Sequence, residues 1–149
     1  MKITEIKTDK KQYLNLLLLA DEQEDMIDRY LERGRMFALL SDDGSAATIA
    51  VVTDEGNRLC ELKNIATAEH MQRKGCGRRM IEFLLNEYRR THDYMDVGTG
   101  DSPLTVPFYQ ACGFEMHHRI HNFFTDNYDH PIYECGKQLI DMVVLRIRL

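Results

Sequence analysis

The densest chemical feature of the sequence is QRKGCGRR, residues 72–79. Arg73, Lys74, Arg78 and Arg79 crowd around Gly75 and Gly77, in a chain whose formal net charge is −5. Glycine has no Cβ, so a ligand can approach the backbone closely there. Ile81, Leu84, Leu85 and Tyr88 follow at i, i+3, i+4 and i+7, which places the glycines at the start of an amphipathic helix. The first amides of a helix have no acceptor inside it and carry a partial positive charge. Such a turn suits a phosphate or pyrophosphate. The P-loop pattern GxxxxGK[ST] is absent, and Arg79 and Met80 follow Gly77 where the dinucleotide pattern GxGxxG needs its third glycine. From spacing alone, an anion site and a solvated basic helix start both remain open.

Two other clusters carry chemistry. His117, His118, His121 and His130 lie near Cys112 and Cys135. Neighbouring residues of a strand point to opposite faces, so His117 and His118 do not readily share a metal, and no zinc spacing is present. No metal is expected. Asp126, Asp129 and Glu134 are interleaved with Phe123, Phe124, Tyr128 and Tyr133. Acids among aromatics suit a cationic ligand, although a solvated hairpin tip or a dimer contact has the same composition. Cys60, Cys76, Cys112 and Cys135 form no CxxC pair. They read as small apolar residues in a reducing compartment, and the expected location is the cytoplasm.

The elements that must position these residues follow from periodicity. The 149 residues, 44% hydrophobic and 29% charged, fit one domain over 1–149. No apolar run reaches the roughly 18 residues of a membrane span, and the charged residues 1–15 do not read as a signal peptide. Neither a membrane nor nucleic acid is expected as partner, the latter because the balance is acidic. Strands are expected at Lys2–Lys7, Met36–Leu40, Thr48–Thr53 and Leu59–Thr67. Asp42–Ser45 and Asp54–Asn57 supply turn chemistry between the last three, which form an antiparallel meander. Two short helices fill Asp9–Arg33 and stop at Gly34. After the glycine turn and its helix come a strand at Tyr94–Thr99, a short helix at Pro103–Cys112, and strands at Phe114–Arg119 and Leu139–Leu149. The strand–helix–strand order over 59–99 implies a parallel pair with a right-handed crossover. The fold class is therefore mixed α/β, with a mainly antiparallel sheet and a parallel pair at its centre.

NIATAEHMQRKGCGRRMIEFL resembles the acyl-CoA-binding motif of the GNAT N-acetyltransferase superfamily, in which a strand runs through [QR]xxGxG into a helix. Gln72, Gly75 and Gly77 hold the defining places, and Glu69 stands where the family often has proline. Further on, FYQACGF resembles the family's second motif through Tyr109, Gly113 and Phe114. The two motifs occur in the family's order, and element order agrees over residues 1–119. The resemblance implies a GNAT-like sheet with helices on both faces, its parallel strands splayed at the cofactor. It implies acetyl-CoA as cosubstrate. Backbone groups of Ile65, Ala66 and Thr67 would pair with the pantetheine arm. The amides of Arg73, Lys74, Gly75, Cys76 and Gly77 would hold the pyrophosphate, with Gln72 and Arg78 nearby. In relatives an Asn or Ser after the second strand often touches the cofactor, which points to Ser102 over its neighbour Asp101.

Acetyl transfer to an amine needs the amine neutral. A primary amine of pKa near 10.4 is neutral in only about one part in 2,500 at pH 7. The resemblance places a base at Glu61, on the strand leading into the motif, with His70 as a rival. An exposed Glu61 pairing with Lys63 is the plain alternative. It places the proton donor to the departing thiolate at Tyr109. The expected activity is transfer of acetyl from acetyl-CoA to a primary amine of a small, possibly cationic molecule by direct attack. The expected assembly extends to a possible homodimer. A non-catalytic acyl-CoA-binding or regulatory module is the alternative, and the presence of both Glu61 and Tyr109 favours the enzyme.

Overall fold

A computed structural model describes residues 1–149. Strand β1 (Lys2–Ile6) leads through a short 3-10 turn into helices α1 (Leu14–Ala20) and α2 (Glu24–Asp28). Strands β2 (Arg35–Leu40), β3 (Ala46–Gly56) and β4 (Leu59–Thr67) form the antiparallel meander. Helix α3 (Cys76–Tyr88) crosses to β5 (Tyr94–Gly100), which lies parallel to β4. Helix α4 (Val106–Ala111), strand β6 (Glu115–Ile120) and helix α5 (Phe123–Asn127) follow. A two-stranded hairpin of β7 (Tyr133–Glu134) and β8 (Lys137–Gln138) then precedes β9 (Met142–Arg148). The main sheet runs β1-β2-β3-β4-β5-β9-β6, and every pairing but β4–β5 is antiparallel.

Helices cover both faces. Met80, Ile81, Leu84 and Tyr88 of α3 pack on Phe37, Leu39, Ala50, Val52, Cys60 and Leu62. On the other face, Leu17 of α1 and Ile27, Tyr30 and Leu31 around α2 pack on Met36, Ala38, Ile49, Val51 and Ala66. Double coverage explains why β3 is buried without alternation from Ala47 to Thr53. Gly34 stops the helical segment for a spatial reason: a Cβ there would lie 2.7 Å from Val51 Cγ1 and 2.9 Å from the Tyr30 carbonyl.

One irregularity shapes the centre. Val52 pairs with Leu62 but Val51 pairs with Asn64, so Lys63 is an extra residue in β4. A bulge of one residue reverses which face the rest of a strand presents. Cys60 and Leu62 therefore face α3, while Asn64 bonds into the α1–α2 layer and Ala66 packs there. Pairing with β5 ends at Leu62–Val97, and the two strands part from Lys63 onward.

Several boundaries differ from expectation. Strand β3 runs on to Gly56, and Asn57 and Arg58 make the turn, at φ 54° and 61°. Two successive left-handed residues are the two-residue hairpin turn that matches strand twist. The fourth helix covers only Val106–Ala111, and the last strand begins at Met142 rather than Leu139. Strand β9 lies between β5 and β6. Helix α5 and the β7–β8 hairpin fall in the segment whose structure the sequence left open.

Candidate active site

The glycine turn is an array of free amides. Every backbone N–H from Arg73 to Arg78 lacks an acceptor within the chain. Arg73 and Gly75 adopt left-handed φ of 62° and 82°, which points successive amides into one concavity. A side chain at Gly75 would meet open space but would strain the backbone. At Gly77 a Cβ would lie 3.3 Å from Phe108 Cζ and 3.7 Å from Thr67 Oγ1, so the close fit there is to neighbouring side chains. Gln72 turns back, its Nε2 donating to the Thr67 carbonyl at 3.1 Å, and braces the turn against the end of β4. Arg73, Lys74 and Arg78 are exposed; Arg78 pairs loosely with Glu82 at 3.4 Å. Cys76 is buried in the core, so only its backbone is offered to a ligand. Unpaired amides flanked by exposed cations supply the donors and the positive charge that an anion requires.

Beyond Leu62 the edge of β4 facing β5 has no partner strand, and it carries Ile65, Ala66 and Thr67. The gap opens into a cavity of about 470 Å³. Its wall includes Lys63–Thr67 and Gln72, then Val97–Gly100 of β5, then Tyr109. The far wall comes from the α1–α2 junction and from the segment between α5 and β9. An unpaired strand edge, a nest of amides and a cavity at the parting of two strands together accommodate an extended chain with an anionic head and a reactive end.

Tyr109 is 8% exposed and lines the cavity. Its ring stands edge-on to Phe108 at 5.3 Å and Phe114 at 5.9 Å. Gly113, at φ 102°, ends the helix, and the Phe114 amide bonds back to the Tyr109 carbonyl at 3.0 Å. This return turn is why the spacing in FYQACGF brings Phe114 against Tyr109. Burial raises the phenol well above its ordinary value, and no hydrogen bond within the chain offsets that.

The structure does not bring every expected residue to the cavity. Glu61 lies one residue before the last β4–β5 pair and is not on the cavity wall. Its carboxylate pairs with Lys63 Nζ at 2.8 Å, and Lys63 does line the cavity. His70 is exposed in the Glu69–Met71 turn and lies off the wall. Ser102 is 3% exposed and faces inward. Its hydroxyl donates to Glu134 Oε1 at 2.7 Å and accepts from the Leu104 amide at 3.1 Å, so its only proton is already engaged. Asp101 pairs with Arg119 at 2.9 Å. Of the acids among aromatics, Glu134 lines the cavity with Phe124, Tyr128 and Tyr133, whereas Asp126, Asp129 and Phe123 do not.

Sequence reasoning missed a polar network on the far wall. Asp21, after α1, accepts from Tyr30 at 2.9 Å on one oxygen and from Tyr128 at 2.6 Å on the other. Asn64 Nδ2 donates to the Tyr30 hydroxyl at 3.1 Å and to the Leu17 carbonyl at 3.0 Å. Burial raises the Asp21 carboxyl, while the two phenols oppose the shift. Asp21 and Tyr128 stand 107 residues apart, so no local pattern could have joined them. Asn64 was masked by apparent alternation with Cys60, Leu62 and Ala66, which only the bulge at Lys63 breaks.

Comparison with known proteins agrees with this geometry. The acetyltransferase (GNAT) domain family matches residues 32–116. The N-acetyltransferase YvbK of Bacillus subtilis (strain 168) is 36% identical over 137 residues, covering 91% of this chain and 88% of the relative. A crystal structure of a GNAT family acetyltransferase from Elizabethkingia anophelis with acetyl-CoA bound superposes with TM-score 0.94 at 30% identity, covering 99% of this chain and 97% of the other. A Bacillus subtilis acetyltransferase in complex with CoA gives TM-score 0.91 at 33% identity, covering 99% and 98%. With its motifs, its splayed parallel strands and a family match over more than half its length, the chain belongs to the GNAT family of acetyltransferases.

Proposed function

We propose that the chain transfers the acetyl group of acetyl-CoA to the primary amine of a small molecule, by direct attack of the amine on the thioester. One observation carries the reading: the free amides of Arg73–Arg78 adjoin a cavity that opens where β4 and β5 part. The pyrophosphate sits on those amides, with Arg73, Lys74 and Arg78 adding charge. The pantetheine arm pairs along Ile65, Ala66 and Thr67. Gln72 and Gly77 keep the turn and the end of β4 in register, and Ser102 acts by orienting Glu134 beside the end of β5.

The acceptor enters as an ammonium ion. It gives one proton to Glu61, through water, because that carboxylate lies behind Lys63 and off the cavity wall. The neutral nitrogen then attacks the thioester carbonyl. As the tetrahedral species collapses, the C–S bond breaks and the thiolate takes the Tyr109 proton. The nitrogen's second proton, released as the amide forms, restores the phenol. Products are the acetamide and CoA thiol, with one proton on Glu61 for return to solvent. Thiol release from acetyl-CoA, measured with and without primary amines and joined to mass analysis of the amine, tests the reading. Amine-dependent release with an acetylated product is expected; release that no amine accelerates would sink it.

A further inference from the structure

Strand β5 sends Met95 and Val97 into the core beneath α3. On its other face it presents no side chain beyond Asp96, because the next two positions there are Gly98 and Gly100. Both glycines lie past Val97, the last residue paired with β4, and both line the cavity. Glycine inside a strand weakens it and marks a close approach by another group. Here the approaching groups come from the end of the chain. A Cβ at Gly98 would collide with Met142 Sδ and lie 3.1 Å from its Cε. A Cβ at Gly100 would lie 2.5 and 2.8 Å from the two methyls of Leu139. Met142 is opposite Gly100 in the register with β9 and leans diagonally over Gly98.

Leu139 and Met142 line the cavity themselves. They pack with Phe124 and Ile132 in a small apolar cluster separate from the two cores that hold the main sheet. The Leu139 amide donates to the Ile132 carbonyl at 2.8 Å, which fixes the leucine over its glycine. With the pantetheine arm along Ile65–Thr67 on the β4 side of the gap, the β5 side and this cluster are left to the acceptor. Phe124, Ile132 and Leu139 have no hydrogen-bonding side-chain group, and Met142 has only a weak acceptor. A hydroxyl or a second charge buried against them would lose its water without gaining a partner. The carboxylates of the wall are already engaged: Asp21 by Tyr30 and Tyr128, Glu22 by His130, and Glu134 by Ser102.

We infer that the acceptor is a primary amine with an apolar body, which rests on Leu139 and Met142 while its nitrogen meets the thioester, and that Met142 over Gly98 limits the size of that body. The inference rests on the amine-acetylation reading and names its substrate class. Glycine at 98 and 100 is what admits the two side chains, so the volume open to the acceptor is set by β5 and the tail together. A Cβ at Gly98 meets the far end of a flexible side chain, and the methionine yields by swinging out over the cavity. Because the cluster is separate from the main cores, substitutions in it change the pocket more than the fold.

Calorimetric titration of the CoA-saturated protein with phenethylamine and with ethanolamine decides the matter without turnover. Phenethylamine is expected to bind about tenfold tighter or more, the size of burying one aromatic ring. Met142→Ala should raise affinity for naphthylethylamine relative to phenethylamine by about tenfold, as the wall recedes. Gly98→Ala should weaken phenethylamine by about fivefold or more, and Gly98→Ala combined with Met142→Ala should restore it. A loss of stability alone would not be reversed in that way. Equal affinity for phenethylamine and ethanolamine, no measurable binding of either, or variants that leave the amine ratios at their wild-type values overturns the inference. If Gly98→Ala does not fold, Met142→Ala and the comparison of the amines still decide it. Acetylation is followed separately with acetyl-CoA. A protein that binds phenethylamine in this way yet acetylates no amine counts against the function, whereas one that acetylates amines without regard to an apolar body counts against the inference alone.

Discussion

Burial among Phe108, Phe114 and the cavity wall raises the Tyr109 phenol, so at neutral pH it still holds the proton a departing thiolate needs. Replacing it with phenylalanine removes one oxygen and keeps the packing. Tyr109→Phe is predicted to lower kcat by about 10² while acetyl-CoA affinity stays within about twofold. Wild-type kcat in that variant would leave Tyr109 a packing residue. For Glu61 the pH dependence is the sharper reading. Glu61→Gln should reduce kcat/KM by about 10²- to 10³-fold near neutral pH. The deficit should shrink as pH rises toward the amine's own pKa, because the acceptor then arrives already neutral. A loss that is uniform across pH would assign Glu61 to holding Lys63 rather than to proton removal. At this scale the sequence showed Tyr109 plainly, through a motif with a return turn. It could not show that Asp21, Tyr30, Asn64 and Tyr128 share one network, since contacts between α1, β4 and the tail depend on how the layers stack.

Three elements define the site: the α3 turn, the bulged β4, and the segment from α5 to β7 that covers the cavity. Gly75 adopts a left-handed φ that a β-carbon disfavours by about 1–2 kcal/mol. Gly75→Ala should therefore lower stability by about 1 kcal/mol in urea unfolding and weaken acetyl-CoA binding, as the amides leave their common focus. The covering segment is clasped to the α1–α2 junction by His130 between Asp129 at 2.6 Å and Glu22 at 3.0 Å, and by the Asp129 amide on Gln23 at 3.0 Å. The hydrogen bonds to Asp129 and then Glu22 raise His130 above its ordinary value. Its contribution to the clasp is therefore complete below about pH 6.5, the unfolded value, and is lost as pH rises through the raised folded value. Amide exchange in Phe123–Ile132 should accelerate over that rise in the wild type and show no such step in His130→Ala. An identical step in both proteins would contradict the assignment. The α3 turn was legible because glycine and helical periodicity are local signals. The bulge was not, because no residue in LCELKNIAT marks an extra position at Lys63 and only the register with β3 shows the slip.

At the level of the whole molecule, the order of elements and the central parallel pair could be read from periodicity, whereas the insertion of β9 between β5 and β6 could not. That arrangement depends on long-range pairing, and it is fastened by a bidentate ion pair from Arg146 of β9 to Asp96 of β5, at 2.6 and 3.0 Å. Asp96 is 4% exposed, so removing the guanidinium strands a buried carboxylate. Arg146→Ala should cost about 3 kcal/mol or more in denaturant unfolding; a cost under about 1 kcal/mol would show the pair to be incidental to the sheet. The account as a whole turns on the free amides at the start of α3 holding the cosubstrate. Thermal unfolding with acetyl-CoA tests that claim most directly. At about a hundred times its dissociation constant the ligand should add about 2.7 kcal/mol of stability. For a chain of this size that raises Tm by about 5–10 °C. Gly77→Glu, which sets bulk and negative charge against Phe108 and the pyrophosphate position, should fold and show no rise. A wild-type Tm that acetyl-CoA leaves unmoved, or a full rise in the variant, would contradict the account.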